Sequence, residues 1–348
     1  MRIAHITSTY LSVPPRSHGG TELMVYHLVQ GLARRGHAIE LFASGDSRVD
    51  VPLRSVVHLA TSYDPHSTAY LDKEIETRNT FNLYRQAQRF DLIHAHWPTL
   101  APYFTPYAHP PTLITYHYME AAIHAYYRAS FPKLFPVCVS HAQARLLGEP
   151  GLPVVYNGID LDATPFNDRP EDFLVIVARL VPTKGIAEAI RIARAAGQRL
   201  VIIGHAPPQL PWSRAYYDEQ ILPHVDGDRV RHFAELPHAQ VLDWVARAKA
   251  FLFPIQGEEP FGLVVAEALA AGTPVIAFPR GAMPEIIDHG RTGFLVETEQ
   301  DAVRALRNIG DIAPAACRAA VAQRFSLTAM LDGYEALYRH LLNSNPAP

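Results

Sequence analysis

Short apolar runs alternate with amphipathic stretches along most of the chain, and the two periods predict strands and helices in turn. In the first half, residues 2–6 read as a strand, 21–35 as a helix stopped by Gly36, and 39–43 as the next strand. Residues 92–95, 112–115, 137–140 and 154–156 are further strand segments. Between 49 and 90 the pattern weakens: 74–89 has helical character, and what precedes it reads as a loop. Polar, proline-containing sequence from Asp160 to Asp172 then interrupts the rhythm. It restarts with strands at 173–178, 200–203, 230–233, 250–253 and 275–278, and helices at 186–196, 238–248 and 262–271. A last amphipathic stretch covers 328–342. Alternating strands and helices predict two parallel α/β domains, each a doubly wound sheet, over 1–160 and 161–325.

Composition narrows the class without changing that picture. A chain of 348 residues fits two domains of roughly 100–200 residues each. Hydrophobic residues make up 48% and charged residues 19%, which excludes a disordered chain. A formal net charge of -3 gives no basis for wrapping nucleic acid. Cys138 and Cys317 fall in a strand and a helical stretch, so both are expected as reduced core thiols. The first residues enter a strand pattern with no charged leader and apolar segment, so no secretion signal is expected. No apolar run reaches the ~20 residues of a membrane span. The expectation is a soluble cytoplasmic protein, with a transient visit to a membrane surface left open if its acceptor is a lipid.

The chemistry concentrates after strand ends. Gly257-Glu258-Glu259-Pro260-Phe261-Gly262-Leu263-Val264-Val265-Ala266-Glu267-Ala268-Leu269 follows an apolar strand and opens a helix. Free backbone N–H groups at Phe261, Gly262, Leu263 and Val264 would make a diphosphate site. Glu267, about one turn inside the helix, could accept from a ribose diol, because helical side chains tilt toward the N-terminus. Glu259, ahead of the helix, would face the sugar. The plain alternative is a pair of carboxylates favoured by the helix dipole, but Glu267 stands in an otherwise apolar run.

A second segment, Val177-Ala178-Arg179-Leu180-Val181-Pro182-Thr183-Lys184-Gly185, brings two cations to a strand end, where a diphosphate needs neutralising. A third, Ser17-His18-Gly19-Gly20-Thr21-Glu22, places two glycines before a helix, where backbone can approach a ligand closely. It is not G-x-G-x-x-G, which leaves an NAD-dependent dehydrogenase without its fingerprint. His117 follows the strand at 112–115 and could hydrogen-bond a sugar hydroxyl. His94 and His96 form an H-x-H pair, but nearby spacing completes no ligand set, so strand packing and loop contacts are preferred and no metal site is expected.

The spacing Glu259-x7-Glu267 and its context resemble the retaining glycosyltransferases of family GT4, which have the GT-B fold of two Rossmann-like domains facing across a cleft. The similarity continues through Ala271-Gly272-Thr273-Pro274-Val275-Ile276-Ala277, Gly281-Ala282-Met283-Pro284-Glu285-Ile286-Ile287 and Gly290-Arg291-Thr292-Gly293-Phe294-Leu295-Val296. The resemblance is strong from about 173 to 296. In the first half it rests on the glycine loop, on Asp91-Leu92-Ile93-His94-Ala95-His96 and on the surroundings of His117. Residues 49–90, where acceptor specificity is expected, carry no motif. Ala178 stands where many relatives have glycine.

The resemblance implies that Arg179 and Lys184 contact the donor phosphates and stabilise the departing nucleoside diphosphate, with no metal or other cofactor required. It implies that Gly19 and Gly20, Gly20 above all, lie beside those phosphates and the acceptor, and that His117 touches the donor sugar. Gly204 and Leu236 fall where the family encloses the nucleotide base, and Tyr156-Asn157-Gly158-Ile159-Asp160 matches an interdomain turn. The segment 326–348 is expected to pack back on the first domain. The implied activity is transfer of a sugar from a nucleotide sugar, UDP-linked by family base rate, to a hydroxyl on a saccharide, a lipid-linked acceptor or a small molecule. The competing readings are a GT-B-like epimerase or phosphorylase and a non-catalytic sugar-nucleotide binding module. The phosphorylase would need a pyridoxal-phosphate lysine, and none is identified.

Overall fold

A computed structural model of the protein describes residues 1–96, 100–207 and 210–344, so the end of the segment 326–348 lies outside the described residues. The chain divides into two compact units, Met1–Gly158 with Leu327–Pro348, and Ile159–Ser326.

The first unit is built on six parallel strands: β1 (Arg2–Ile6), β2 (Ala38–Phe42), β3 (Leu53–Arg54), β4 (Leu92–Ala95), β5 (Thr112–Tyr116) and β6 (Leu134–Cys138). Their order is β3-β2-β1-β4-β5-β6. The second unit has β7 (Glu171–Val177), β8 (Leu200–Ile203), β9 (Val230–Phe233), β10 (Ala248–Phe253), β11 (Val275–Ala277) and β12 (Gly293–Leu295), all parallel, ordered β12-β11-β10-β7-β8-β9. Both sheets are thus Rossmann-like. Parallel strands need crossovers that cover both faces, which is why β4, β5 and β8 are buried along their whole length and β8 reads as an unbroken apolar run. Each order reverses once, between β1 and β4 and between β7 and β10. In open α/β sheets, ligands bind outside the carboxyl ends of the strands at such a reversal.

Local chemistry moves several predicted boundaries. The strand expected at 137–140 is Leu134–Cys138, because Ser140 instead caps the helix His141–Leu146, its hydroxyl accepting from the Gln143 N–H at 3.0 Å. Residues 154–156 do not form a strand. Val154 makes a single bridge to Cys138, the last residue of β6, and pairing stops there. The helix expected at 74–89 starts earlier, spanning Ala69–Tyr84 behind a Thr68 cap. The helix Ala121–Ser130 was not foreseen in the sequence pattern.

The C-terminal helix Leu327–Ser344 closes one face of the first sheet with polar as well as apolar contacts. Tyr338 lies with its hydroxyl 2.6 Å from His94 Nδ1, and the Tyr334 hydroxyl lies 2.9 Å from Thr115 Oγ1. Both tyrosines are buried, Tyr338 completely. Burial of a polar group without its partner costs about 1–3 kcal/mol. Tyr338→Phe should therefore lower stability by about that much in urea unfolding. Tyr70→Phe, at a side chain that is 82% exposed, should leave the midpoint unchanged.

Candidate functional site

In the second unit the carboxyl ends of β7 and β10 meet at the reversal of strand order. The turn after β7 carries exposed Arg179 and ends in the single 3-10 turn Pro182–Lys184. The loop after β10 is fixed to that turn by the N–H groups of Gln256 and Gly257, which donate to Thr183 O at 2.9 and 3.1 Å. Lys184 Nζ then meets Glu259 Oε2 in a short ion pair, with both side chains mostly buried. The backbone carbonyl of Glu259 accepts from Ala282 N at 2.9 Å, and Glu258 accepts from Gly281 N. The two predicted residues Lys184 and Glu259 are thus one unit, held in place by three loops.

Phe261 is buried edge-on against Phe325, with ring centroids 5.7 Å apart. Gly262 precedes the helix Leu263–Ala270, and Val265 N already bonds to Gly262 O. The N–H groups of Leu263 and Val264 have no intrahelical acceptor by helix geometry and lie on a half-buried surface. Glu267, 8% exposed, faces the helix His238–Arg247 and accepts from His238 Nε2 at 2.8 Å. His238 was missed in the sequence. It sits 29 residues from Glu267, and no local spacing links the starts of two neighbouring helices. The hydrogen bond to Glu267 holds the His238 imidazolium above its ordinary 6.5, against burial and with Glu267's charge adding.

Gly204 and Leu236 follow β8 and β9. A Cβ on Gly204, whose φ is 144°, would stand 1.9 Å from the carbonyl oxygen of Ala178, so the loop can lie this close to the Arg179 turn only without a side chain. Leu180 N donates to His205 O at 2.9 Å and ties the two turns together. His232 Nε2 donates to Gly204 O at 2.8 Å, with the Tyr217 hydroxyl 3.3 Å from its other nitrogen. Leu236 is half-buried. A separate cavity of about 280 Å³, lined by Asn167, Glu171, Lys249 and Pro274 among others, lies at the amino ends of β7 and β10, away from these loops.

In the first unit, the loop after β1 ends at Gly19 and Gly20, and Gly20 opens the helix Gly20–Arg34. The conformational demand falls on Gly19, with φ 142° and three atoms within 3 Å of where a Cβ would stand. One of them is Glu22 Oε2. Burial, with the charge of Glu76 adding, raises the Glu22 carboxyl to about 6. Glu76 receives Ser8 Oγ at 2.6 Å, Thr9 N at 2.6 Å and Thr9 Oγ1 at 3.1 Å, and burial raises it too. It comes from the motif-free stretch 49–90, which is why the sequence did not show it.

His117 lies past β5 with Nε2 3.3 Å from His96 Nδ1, and His96 Nε2 is 3.1 Å from His5 Nδ1. The third histidine beside the H-x-H pair thus comes from β1, 91 residues away from His96. Ligand atoms of His5, His94 and His96 gather within 4.8 Å. However, both His94 nitrogens are engaged, by the Tyr338 hydroxyl at 2.6 Å and Thr115 Oγ1 at 2.8 Å. Cys138 and Cys317 are free, buried thiols, and burial pushes each up to about 12. Among the described residues no helix is long and apolar enough to cross a membrane.

The comparisons with known proteins cover both units. Residues 18–163 match the family described as Glycosyltransferase Family 4, and residues 161–312 match Glycosyl transferases group 1. A glycogen synthase of Mycobacterium tuberculosis is 28% identical over 95% of this chain and 91% of its own length. The crystal structure of AviGT4, a glycosyltransferase involved in avilamycin A biosynthesis, aligns with a TM-score of 0.74 at 24% identity, covering 99% of this chain and 98% of that one. Anabaena HepE in complex with UDP-glucose aligns with a TM-score of 0.73 at 19% identity, over 97% of this chain and all of that one. These likenesses establish the GT-B fold.

The Glu267–His238 pair generates a signed pH dependence. His238 has a raised folded-state pKa, so the pair's stabilisation is complete below 6.5 and is lost as pH rises through the raised value. NMR titration should show the His238 midpoint falling in Glu267→Gln. The stability gap between wild type and variant should be wider at about pH 6 than at about pH 8.5.

Proposed function

The chain belongs to the group 1 glycosyltransferases of the family 4 type, and from that premise we propose that it transfers a sugar, with retention of anomeric configuration, from a nucleotide sugar to an acceptor hydroxyl. A UDP-sugar is the favoured donor, since HepE, a neighbour in fold, is described with UDP-glucose. The observation that carries the reading is the convergence of Arg179, the Lys184–Glu259 pair, the Leu263–Ala270 helix start and Glu267 on the strand-order reversal of one sheet.

The nucleoside diphosphate lies along that helix, with its phosphates at the N–H groups of Leu263 and Val264 and its ribose at Glu267. Gly204 and Leu236 border the base. Arg179 and Lys184 neutralise the charge that grows on the diphosphate as the anomeric C–O bond breaks. They supply positive charge without a divalent ion, so the reaction proceeds without added metal. Glu259 lies beside the sugar, where oxocarbenium-like charge develops, and orients Lys184. The acceptor oxygen attacks on the face the diphosphate leaves, and its proton passes to a departing phosphate oxygen. Gly19, Gly20 and His117 belong to the acceptor side and the donor sugar. The acceptor is a saccharide, a lipid-linked sugar or a small molecule, handled in the cytoplasm.

A thermal-shift panel of nucleotide sugars, followed by turnover with the stabilising donor, tests the reading; no shift with any of them defeats it. Arg179→Ala and Lys184→Ala should each raise the barrier to transfer by about 2–4 kcal/mol and weaken diphosphate binding, while EDTA leaves turnover unchanged. Strict dependence on a divalent ion would contradict the site.

The two glutamates should separate in kinetics. Glu267→Ala removes a contact made in ground and transition states alike and should raise donor KM more than it lowers kcat. Glu259→Gln should lower kcat with a smaller effect on nucleotide affinity measured by calorimetry. Normal binding and full kcat in both variants would remove the ligand from this helix.

A further inference from the structure

His5, His96 and His117 form a continuous hydrogen-bonded row across β1, β4 and β5. His5 lies in β1, His96 directly follows β4 and His117 directly follows β5, and these three strands are neighbours in the sheet. His5 is 0% and His96 2% exposed, so the row runs from the core of the first unit outward to half-buried His117. Burial holds His117 down to about 4 and His5 to about 3, and lowers His96 in the same sense, so all three rings are neutral at physiological pH.

A neutral imidazole carries one ring hydrogen. His96 is engaged at both nitrogens, by His5 Nδ1 at 3.1 Å and His117 Nε2 at 3.3 Å, so it donates to one neighbour and accepts from the other. The row therefore has two possible directions. If hydrogens point inward, His117 donates to His96, His96 to His5, and His5 is left with an N–H on Nε2. If they point outward, His5 donates from Nδ1 to His96, His96 donates from Nδ1 to His117, and His117 keeps its hydrogen on Nδ1. The inner end decides between them. His5 Nε2 is buried with no hydrogen-bond partner among the described residues. An orphaned buried N–H is rarer than an under-satisfied acceptor, so the outward direction is favoured.

We propose that His96 and His5 are positioning residues that fix His117 as the Nδ1–H tautomer, leaving it a hydrogen-bond donor on the nitrogen turned away from the row. The role of that donor toward a sugar or acceptor oxygen rests on the placement of His117 under Proposed function. The tautomer itself does not. A divalent ion among His5, His94 and His96 is the competing use of the same rings. It would require His94 to give up Thr115 or Tyr338 and would bury two positive charges among neutral ligands.

Long-range proton–nitrogen NMR on histidine-labelled protein reads the tautomer directly, with the His117 signals identified by their loss in His117→Gln. Wild type should show a protonated Nδ1 and an imine-type Nε2 on His117 at neutral pH. His96→Leu should release His117 to the Nε2–H form preferred by free imidazole, and His96→Asn, which keeps a donor near the Nδ1 position, should restore the wild-type pattern. A wild-type His117 protonated on Nε2 would overturn the proposal, as would a stoichiometric divalent metal in the purified protein that is lost in His5→Phe. In turnover assays His96→Leu should lower kcat about tenfold with donor KM within about twofold, the loss of one directed hydrogen bond. A tautomer that switches while kcat stays constant supports the row and removes His117 from the reaction site, so failure of the two ideas is told apart.

Discussion

Parallel strands send all their carboxyl ends to one edge of a sheet, and where the strand order reverses, loops from two strands distant in sequence leave that edge side by side, which is where open α/β sheets bind ligands. In the second unit that reversal lies between β7 and β10. The turn with Arg179 and Lys184 leaves one strand and the loop with Glu259 leaves the other. Residues 75 positions apart become an ion pair for this reason. The absence of a side chain at Gly204 brings a third loop against the same turn. The charges are held by backbone hydrogen bonds between loops, so their positions are inherited from the sheet.

The two glutamates of the second unit are treated differently by their surroundings. Glu259 is matched to a lysine on the turn after β7, whereas Glu267 is matched to a histidine whose imidazolium it holds above its ordinary value. A carboxylate beside a titrating histidine has a partner whose charge changes with pH. This gives the sugar and the ribose sides of the proposed site different partners within one helix and its preceding loop.

The first unit solves the same edge with little charge. Beside β1, β4 and β5, buried histidines are joined by hydrogen bonds to one another and to Thr115, Tyr334 and Tyr338, and burial keeps His5 and His117 neutral. The C-terminal helix supplies two members of this set, so the helix that closes the sheet also gives His94 and Thr115 hydrogen-bond partners. The carboxylates near the glycine loop, Glu22 and Glu76, are raised by burial, and Glu76 is met by hydroxyl and backbone donors from Ser8 and Thr9. In this neutral interior the tautomer proposed for His117 follows from the direction of the hydrogen bonds in the row.

Much of this was legible along the chain. Residues 92–95 and 200–203 announced strands, because a strand buried on both faces is largely apolar over its length; 2–6 and 230–233 were legible too, although Arg2 and Arg231 are exposed, and the helix after Gly262 was read from its place behind an apolar strand. Arg179, Lys184, Glu259 and Glu267 stood out because their neighbours form compact motifs. Boundaries shifted where a single side chain intervened, as Ser140 did by capping a helix instead of extending β6. Contacts between distant residues could not be read. His238 with Glu267, His5 with His96 and Glu76 with Thr9 are 29, 91 and 67 residues apart. Periodicity records which face of an element is buried, a property of neighbouring residues. Strand order and helix docking decide what that face meets, and they are fixed by the packing of the whole sheet.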